Sequence, residues 1–223
     1  SLGNAHVEQN KEQKYISYRR LLFGNLWITS ICTVCLYNLL NDFIIVWVGT
    51  DMLLDELTVT VLCIQFFMET ARIISLSYTN GCGLFVRDKI RPLIEAAINL
   101  VVSVVMANLL GVAGVFIGTI ASHCCTVFWR EPYLLYKYEF KKSIKEYWEY
   151  YGTAAILTLI MSFLIRKSMT NMVLLRVDNL LMWIFKAISV LVLSNVFLVI
   201  LLHRNLDFKF FFCLIKRRFK KTE

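Results

Sequence analysis

The chain has 223 residues, is 58% hydrophobic and carries a formal net charge of +8. Soluble domains are nearer to about 45–50% apolar. The excess here falls into blocks of about 20 residues, the length a bilayer sets, so a soluble globular domain is excluded. Lys and Arg gather in alternate connecting segments rather than on one face, which argues against nucleic acid as a partner.

Two prolines and nine glycines favour long helices over turn-rich sheet. Residues 1–20 read as a cytoplasmic loop, with Lys11, Lys14, Arg19 and Arg20 leading into the first apolar block, 21–48. That block is long for one span and contains Asn38, Asn41 and Asp42. Cys32 and Cys35 within it stand three apart, which on a helix makes them neighbours on one face rather than a redox pair. The connection 49–56 carries Asp51, Asp55 and Glu56 and no base.

The second block, 57–80, contains Glu69 and Arg72. A charge at that depth costs about 2.5–3.5 kcal/mol on insertion scales, so such residues face a protein interior or a watery path. Arg87, Lys89 and Arg91 lead into the third block, 89–110, with Pro92 in its first turn, where proline is tolerated. A helix rise of about 1.5 Å per residue puts Arg72 about 13 Å, Glu95 about 9 Å and Asn99 about 15 Å from the same end. Antiparallel neighbours bring the three to a common level. Arg72 is therefore expected to meet Glu95 or Asn99 in a cavity open to the cytoplasm, or to pair with Glu69 or Glu95 and hold helices together.

In the fourth block, 112–130, Gly111, Gly114, Gly118 and Ser122 form a small-residue stripe, a device for close helix packing. His123, beside Cys124 and Cys125, reads as a hydrogen-bonded packing residue. Residues 133–151 mix Lys with Tyr and Trp, which favours the headgroup level. The fifth and sixth blocks are 147–165 and 177–202; Lys186 in the sixth has Asp178 as its one apparent partner. The tail pairs Phe210, Phe211 and Phe212 with a basic cluster suited to anionic lipid. The chain thus divides into 1–20, four transmembrane helices over 21–136, an interfacial segment 137–150, two terminal transmembrane helices over 151–202, and a basic tail 203–223.

Most bases fall before the first block, between second and third, between fourth and fifth, and after the sixth. The other side has Arg166, Lys167 and Arg176. The positive-inside rule then puts both ends in the cytoplasm. The seven cysteines lack zinc spacing, and no nucleophile stands near a base. The expectation is an all-α polytopic membrane protein that is not an enzyme and needs no cofactor.

Several strings narrow this further: Gly83-Leu84-Phe85, Asp88, Pro92, Glu95-Ala96, Asn99-Leu100, Ser103, Gly111, Gly114-Val115-Phe116, Gly118-Thr119, Trp129, Glu131-Pro132-Tyr133 and Tyr136-Lys137. Ser1-Leu2-Gly3-Asn4, Trp47-Val48-Gly49 and Arg72 also fit. With these the chain resembles bacterial polysaccharide biosynthesis proteins, flippases of lipid-linked oligosaccharides in the multidrug/oligosaccharidyl-lipid/polysaccharide (MATE-like) exporter superfamily. The resemblance implies about six helices from the C-terminal lobe of a two-lobed transporter, with the N-terminal lobe supplying the rest. It implies a bacterial plasma-membrane location, alternating access, and export of an undecaprenyl-diphosphate-linked repeat unit for capsule, exopolysaccharide, O-antigen or teichoic-type polymer. Arg72, Glu69, Glu95 and Asn99 become the candidate substrate-binding residues. The partners are the lipid-linked oligosaccharide, membrane lipids and the first lobe. A coupling Na+ or H+ stays open, as do two alternatives, a cation-coupled multidrug antiporter and a non-transporting fragment.

Overall fold

The computed structural model describes residues 11–171 and 179–219, without the side chains of 170, 171, 212 and 214–219. The matching Ser1–Asn4 string, Arg176, Asp178, and the side chains of Phe212 and of the bases from Lys216 onward lie outside what is described. The chain is all-α. It runs α1 (Lys11–Trp47), α2 (Glu56–Ala71), α3 (Ile73–Gly81), α4 (Arg91–Leu110), α5 (Val112–Cys125), α6 (Val127–Leu134), α7 (Lys145–Asn171), α8 (Leu180–Leu202) and α9 (Leu206–Phe219). Among the described residues, six stretches are long and apolar enough to cross a membrane; α2 with α3, and α5 to Phe140, each count as one. This is the build of a multi-pass membrane protein.

Helix α1 is the central post, lying against α2, α3, α7 and α8. It starts at Lys11, so residues 11–20, read as loop, form its first turns. Asn38 and Asn41 do not break it. Asn38 donates to the Val34 carbonyl, 2.9 Å, and Asn41 donates to the Leu54 carbonyl, 2.8 Å, tying down the chain before α2. At one end of the post, Tyr15, Tyr18, Tyr78, Tyr136, Phe140 and Tyr147 form a buried aromatic core. The sequence reading gave Tyr136, Phe140, Tyr147 and Tyr151 to the headgroups; the structure turns them inward, leaving Tyr133 and Tyr138 exposed. Ring pairs such as Tyr18–Tyr78, 5.1 Å between centroids, meet edge to face, a packing worth about 0.5–1.5 kcal/mol beyond area burial. At the other end, Val34, Met161, Ile165, Val190 and Leu198 join α1 to α7 and α8.

The tail folds back on the post. Phe208 of α9 stacks on Trp27, 5.3 Å, Phe211 on Phe23, 6.2 Å, and the Arg20 guanidinium sits 3.6 Å from the Phe210 ring centroid. Lys14–Glu139, 3.1 Å, and Arg19–Asp207, 3.3 Å, add ion pairs at this end.

Helices α4 and α5 make a tight hairpin around Gly111, whose φ of +58° suits glycine and strains any residue with a Cβ. A Cβ on Gly114 would meet Met106 and Ala107 backbone atoms, and one on Gly118 would meet Ser103. The small-residue stripe is therefore the surface on which α5 receives α4. Helix α4 has no buried residue.

The second and fourth spans are each broken. Thr70 donates to the Phe66 carbonyl, 2.7 Å, and Thr126 to the Ser122 carbonyl, 2.6 Å, back-bonding that bends helices. α2 stops at Ala71 and α5 at Cys125. Carbonyls freed inside a bilayer need partners; Asn25 of α1 donates to Thr70 O, 2.8 Å, and Ala71 O, 3.3 Å. α6, which contains Pro132, gives way to a π turn over Leu135–Phe140.

Two predictions follow from this packing. Gly118→Leu should force α4 off α5 and cost about 1–3 kcal/mol as an overpacked contact, read as a lower thermal midpoint of the purified protein, whereas Gly152→Ala, in open space within α7, should raise it slightly, by the helix-propensity gain of about 0.5–1 kcal/mol. Asp55 caps α2, accepting from the Thr58 hydroxyl and from its amide, 3.0 Å, and these bonds hold its carboxyl below the ordinary value. A depressed folded-state value means the contribution is complete above the ordinary carboxylate range and is lost as pH falls through the folded value. Amide exchange in the first turn of α2 should accordingly quicken in acid relative to mid-helix amides, and Asp55→Ala should abolish that difference.

Candidate functional site

The two breaks face each other, and the charged residues beside them close into a ring. Arg72, at the end of α2, forks onto Glu131 of α6, with Nη2 2.6 Å from Oε1 and Nε 3.2 Å from Oε2. Its Nη1 holds Glu69, 3.0 Å. The other oxygen of Glu69 lies 2.9 Å from His123 Nε2, and the same nitrogen lies 3.3 Å from Glu95 of α4. Glu95 takes Arg91, 2.8 Å, and Arg91 comes within 3.8 Å of Glu131, which closes the circuit. Asp88 ties on Arg91, 2.6 Å, and Arg130, 2.8 Å.

Glu131 is 1% exposed and His123 4%. A lone carboxylate so deep would be expensive; Glu131 is tolerable because a planar fork satisfies both oxygens. Arg72 can supply that fork because the helix turns at this residue.

Of the residues chosen from sequence, Glu69, Arg72 and Glu95 enter the ring. Arg72 reaches Glu95 through Glu69 and His123 rather than directly. Asn99 stays outside, one turn along α4, accepting from Ser103 at 2.8 Å. Sequence reasoning missed Glu131, Arg91, Asp88 and Arg130 as site residues and read His123 as packing. The spacing of Asp88, Arg91 and Glu95 at i, i+3 and i+7 was a visible signal of one charged face. Glu131 had only its place in the Glu131-Pro132-Tyr133 string, beside Arg130.

The expected cavity around Arg72 takes a different form. The space beside Arg72 and His123 is about 10 Å³, walled by Met68, Val127, Phe128, Tyr147 and Tyr151, roughly enough for one water. The open space is a groove of about 420 Å³ on the other side of the ring, lined by Arg87, Lys89, Arg91 and Arg130, with Asp88, Ile94 and Trp129 among its walls. Arg91 belongs to both the groove and the ring.

A second polar site lies toward the other end. Lys186 of α8 pairs with Asp42 of α1 at 2.5 Å, which supplies the partner that the sequence reading sought in Asp178. Arg166 bonds the Tyr37 hydroxyl, 2.6 Å, and Glu56, 2.9 Å, beside the same pocket.

Comparison of the chain with known protein families, curated proteins and solved structures finds no match.

The ring predicts an asymmetry between single and paired changes. Glu131→Ala removes the forked partner of Arg72, leaving it Glu69 alone, and should cost about 3 kcal/mol. Arg72→Met with Glu131→Met removes both charges and should recover most of that loss. Chemical unfolding of the three proteins in one detergent measures it, and equal losses would sink the paired account.

Proposed function

We propose that this chain is the later part of a flippase for lipid-linked oligosaccharides in polysaccharide synthesis, acting with a first lobe by alternating access in a bacterial plasma membrane. The observation that carries the reading is the basic groove beside the ring. Four cations, Arg87, Lys89, Arg91 and Arg130, face one opening. Guanidinium and ammonium groups there suit the diphosphate of a polyprenyl-linked sugar. The resemblance noted from sequence points the same way, and the groove lies at the end that the positive-inside rule assigns to the cytoplasm, where such a headgroup would enter.

The ring has a part in this reading. It joins α2, α4, α5 and α6 at the inner end of the groove. A diphosphate that draws Arg91 away from Glu95 and Glu131 loosens the ring, and this links cargo to helix movement. Every carboxylate of the ring already has an arginine or histidine partner, which leaves no free acidic seat for a drug cation and disfavours the antiporter.

Binding of a short-chain polyprenyl-diphosphate sugar to the protein in nanodiscs tests the reading. Arg87→Gln with Lys89→Gln changes exposed cations that are not ring members. The double change should weaken binding roughly tenfold, about 1.4 kcal/mol, and flatten its salt dependence. Unchanged affinity, or equal affinity for an uncharged polyprenyl alcohol, would overturn the diphosphate groove.

A further inference from the structure

Charges alternate around the ring at every position but one. From Arg72 the order is Glu69, His123, Glu95, Arg91, Glu131 and back to Arg72. His123 therefore stands where the pattern requires a cation. With the imidazole neutral, Arg72 and Arg91 face three carboxylates, and the Asp88–Arg130 pair does not change the balance. A single proton restores neutrality where screening is weakest.

We propose that His123 is a proton-binding site, and that its proton clamps α2 to the α4–α5 hairpin. Nε2 faces oxygens of both Glu69 and Glu95, so it carries a hydrogen in either state, since an unprotonated nitrogen would oppose two anions. Nδ1 is buried and has no hydrogen-bond partner among the described residues, so nothing in the protein fixes its state. It is the nitrogen that gains and loses the proton.

The groups around the imidazole are Glu69 and Arg72 from α2, Arg91 and Glu95 from α4, Glu131 from α6, and the phenols Tyr147 and Tyr151 of α7 across the small cavity. Arg72 and Arg91 are each committed to carboxylates, and the two phenols are buried in the aromatic core. Among the described residues of the ring, the imidazole is the one with a polar atom left without a partner.

The consequence is mechanical. Glu95 and His123 both belong to the hairpin, while Glu69 belongs to α2. An imidazolium holds both carboxylates. Nε2–H is shared by the two carboxylates in both states; with the imidazole neutral no positive charge offsets them, and repulsion between Glu69 and Glu95 then works against the α2–α5 contact. The inference rests on the ring and on a membrane-spanning chain; it names H+ as the coupling ion of the proposed transporter but holds whatever the cargo.

Histidine-selective ring-15N labelling of the protein in nanodiscs tests it. His6 and His203 are the other histidines of the chain, and His123→Gln assigns the signal. His123 should show two protonated nitrogens at pH 5 and one at pH 8. Over the same range the wild-type thermal midpoint should fall, and the fall should vanish in His123→Gln and shrink in the isosteric Glu95→Gln, which leaves Glu69 on the imidazole, while persisting in His203→Gln. A His123 ring fixed in one charge state, or a pH response undiminished in His123→Gln, overturns the proposal. Neither readout involves transport, so a titrating His123 in a protein that binds no diphosphate would reject the flippase reading alone.

Discussion

The fork of Arg72 onto Glu131 is the constraint around which the first four spans are arranged. Neither residue is tolerable at its depth without the other, and each imposes a local deformation to reach its partner. The second span stops at Ala71 so that the guanidinium turns toward α6. The fourth stops at Cys125, and its continuation from Val127 delivers the carboxylate. Breaking a helix in a bilayer exposes carbonyls, and Asn25 meets that need from the central post. The glycine stripe completes the arrangement, because α4 must lie close on α5 for Arg91 and Glu95 to reach the ring.

The two ends of the bundle solve the burial of polar groups differently. At the basic end, aromatic edges and long ion pairs fasten α1 to α3, α7 and α9, so the post is anchored where the groove opens. At the far end, Lys186 with Asp42 ties α8 to α1 and Arg166 with Glu56 ties α7 to α2 beside a small polar pocket. The hairpin of α4 and α5 stands apart from both, its outer face apolar and its attachment made through α5 and the ring.

Much of this was legible in the sequence because the bilayer imposes simple rules. Blocks of apolar residues gave the spans, Gly114-x-x-x-Gly118 gave a close contact, and Glu69, Arg72 and Glu95 stood out as charges in apolar surroundings. Other features misled. Tyr136, Phe140, Tyr147 and Tyr151 look like an interfacial belt when read with their lysines, yet they pack inward, because a belt and an aromatic core have the same composition. Asn99 sat at a plausible depth and is turned to Ser103. Arg91 and Arg130 looked like ordinary inner-loop charges.

Hydropathy and charge act residue by residue against a fixed slab, so the all-α class, the spans and the segregation of bases to one end were readable from the order of residues. Which charge pairs with which emerged from the folded bundle. Glu131 is far from Arg72 and His123 far from Glu69 along the chain, and no periodicity within one helix fixes how two broken helices face each other. That is settled by the joint demand that every buried charge find a partner, a property of the assembled bundle and not of any segment.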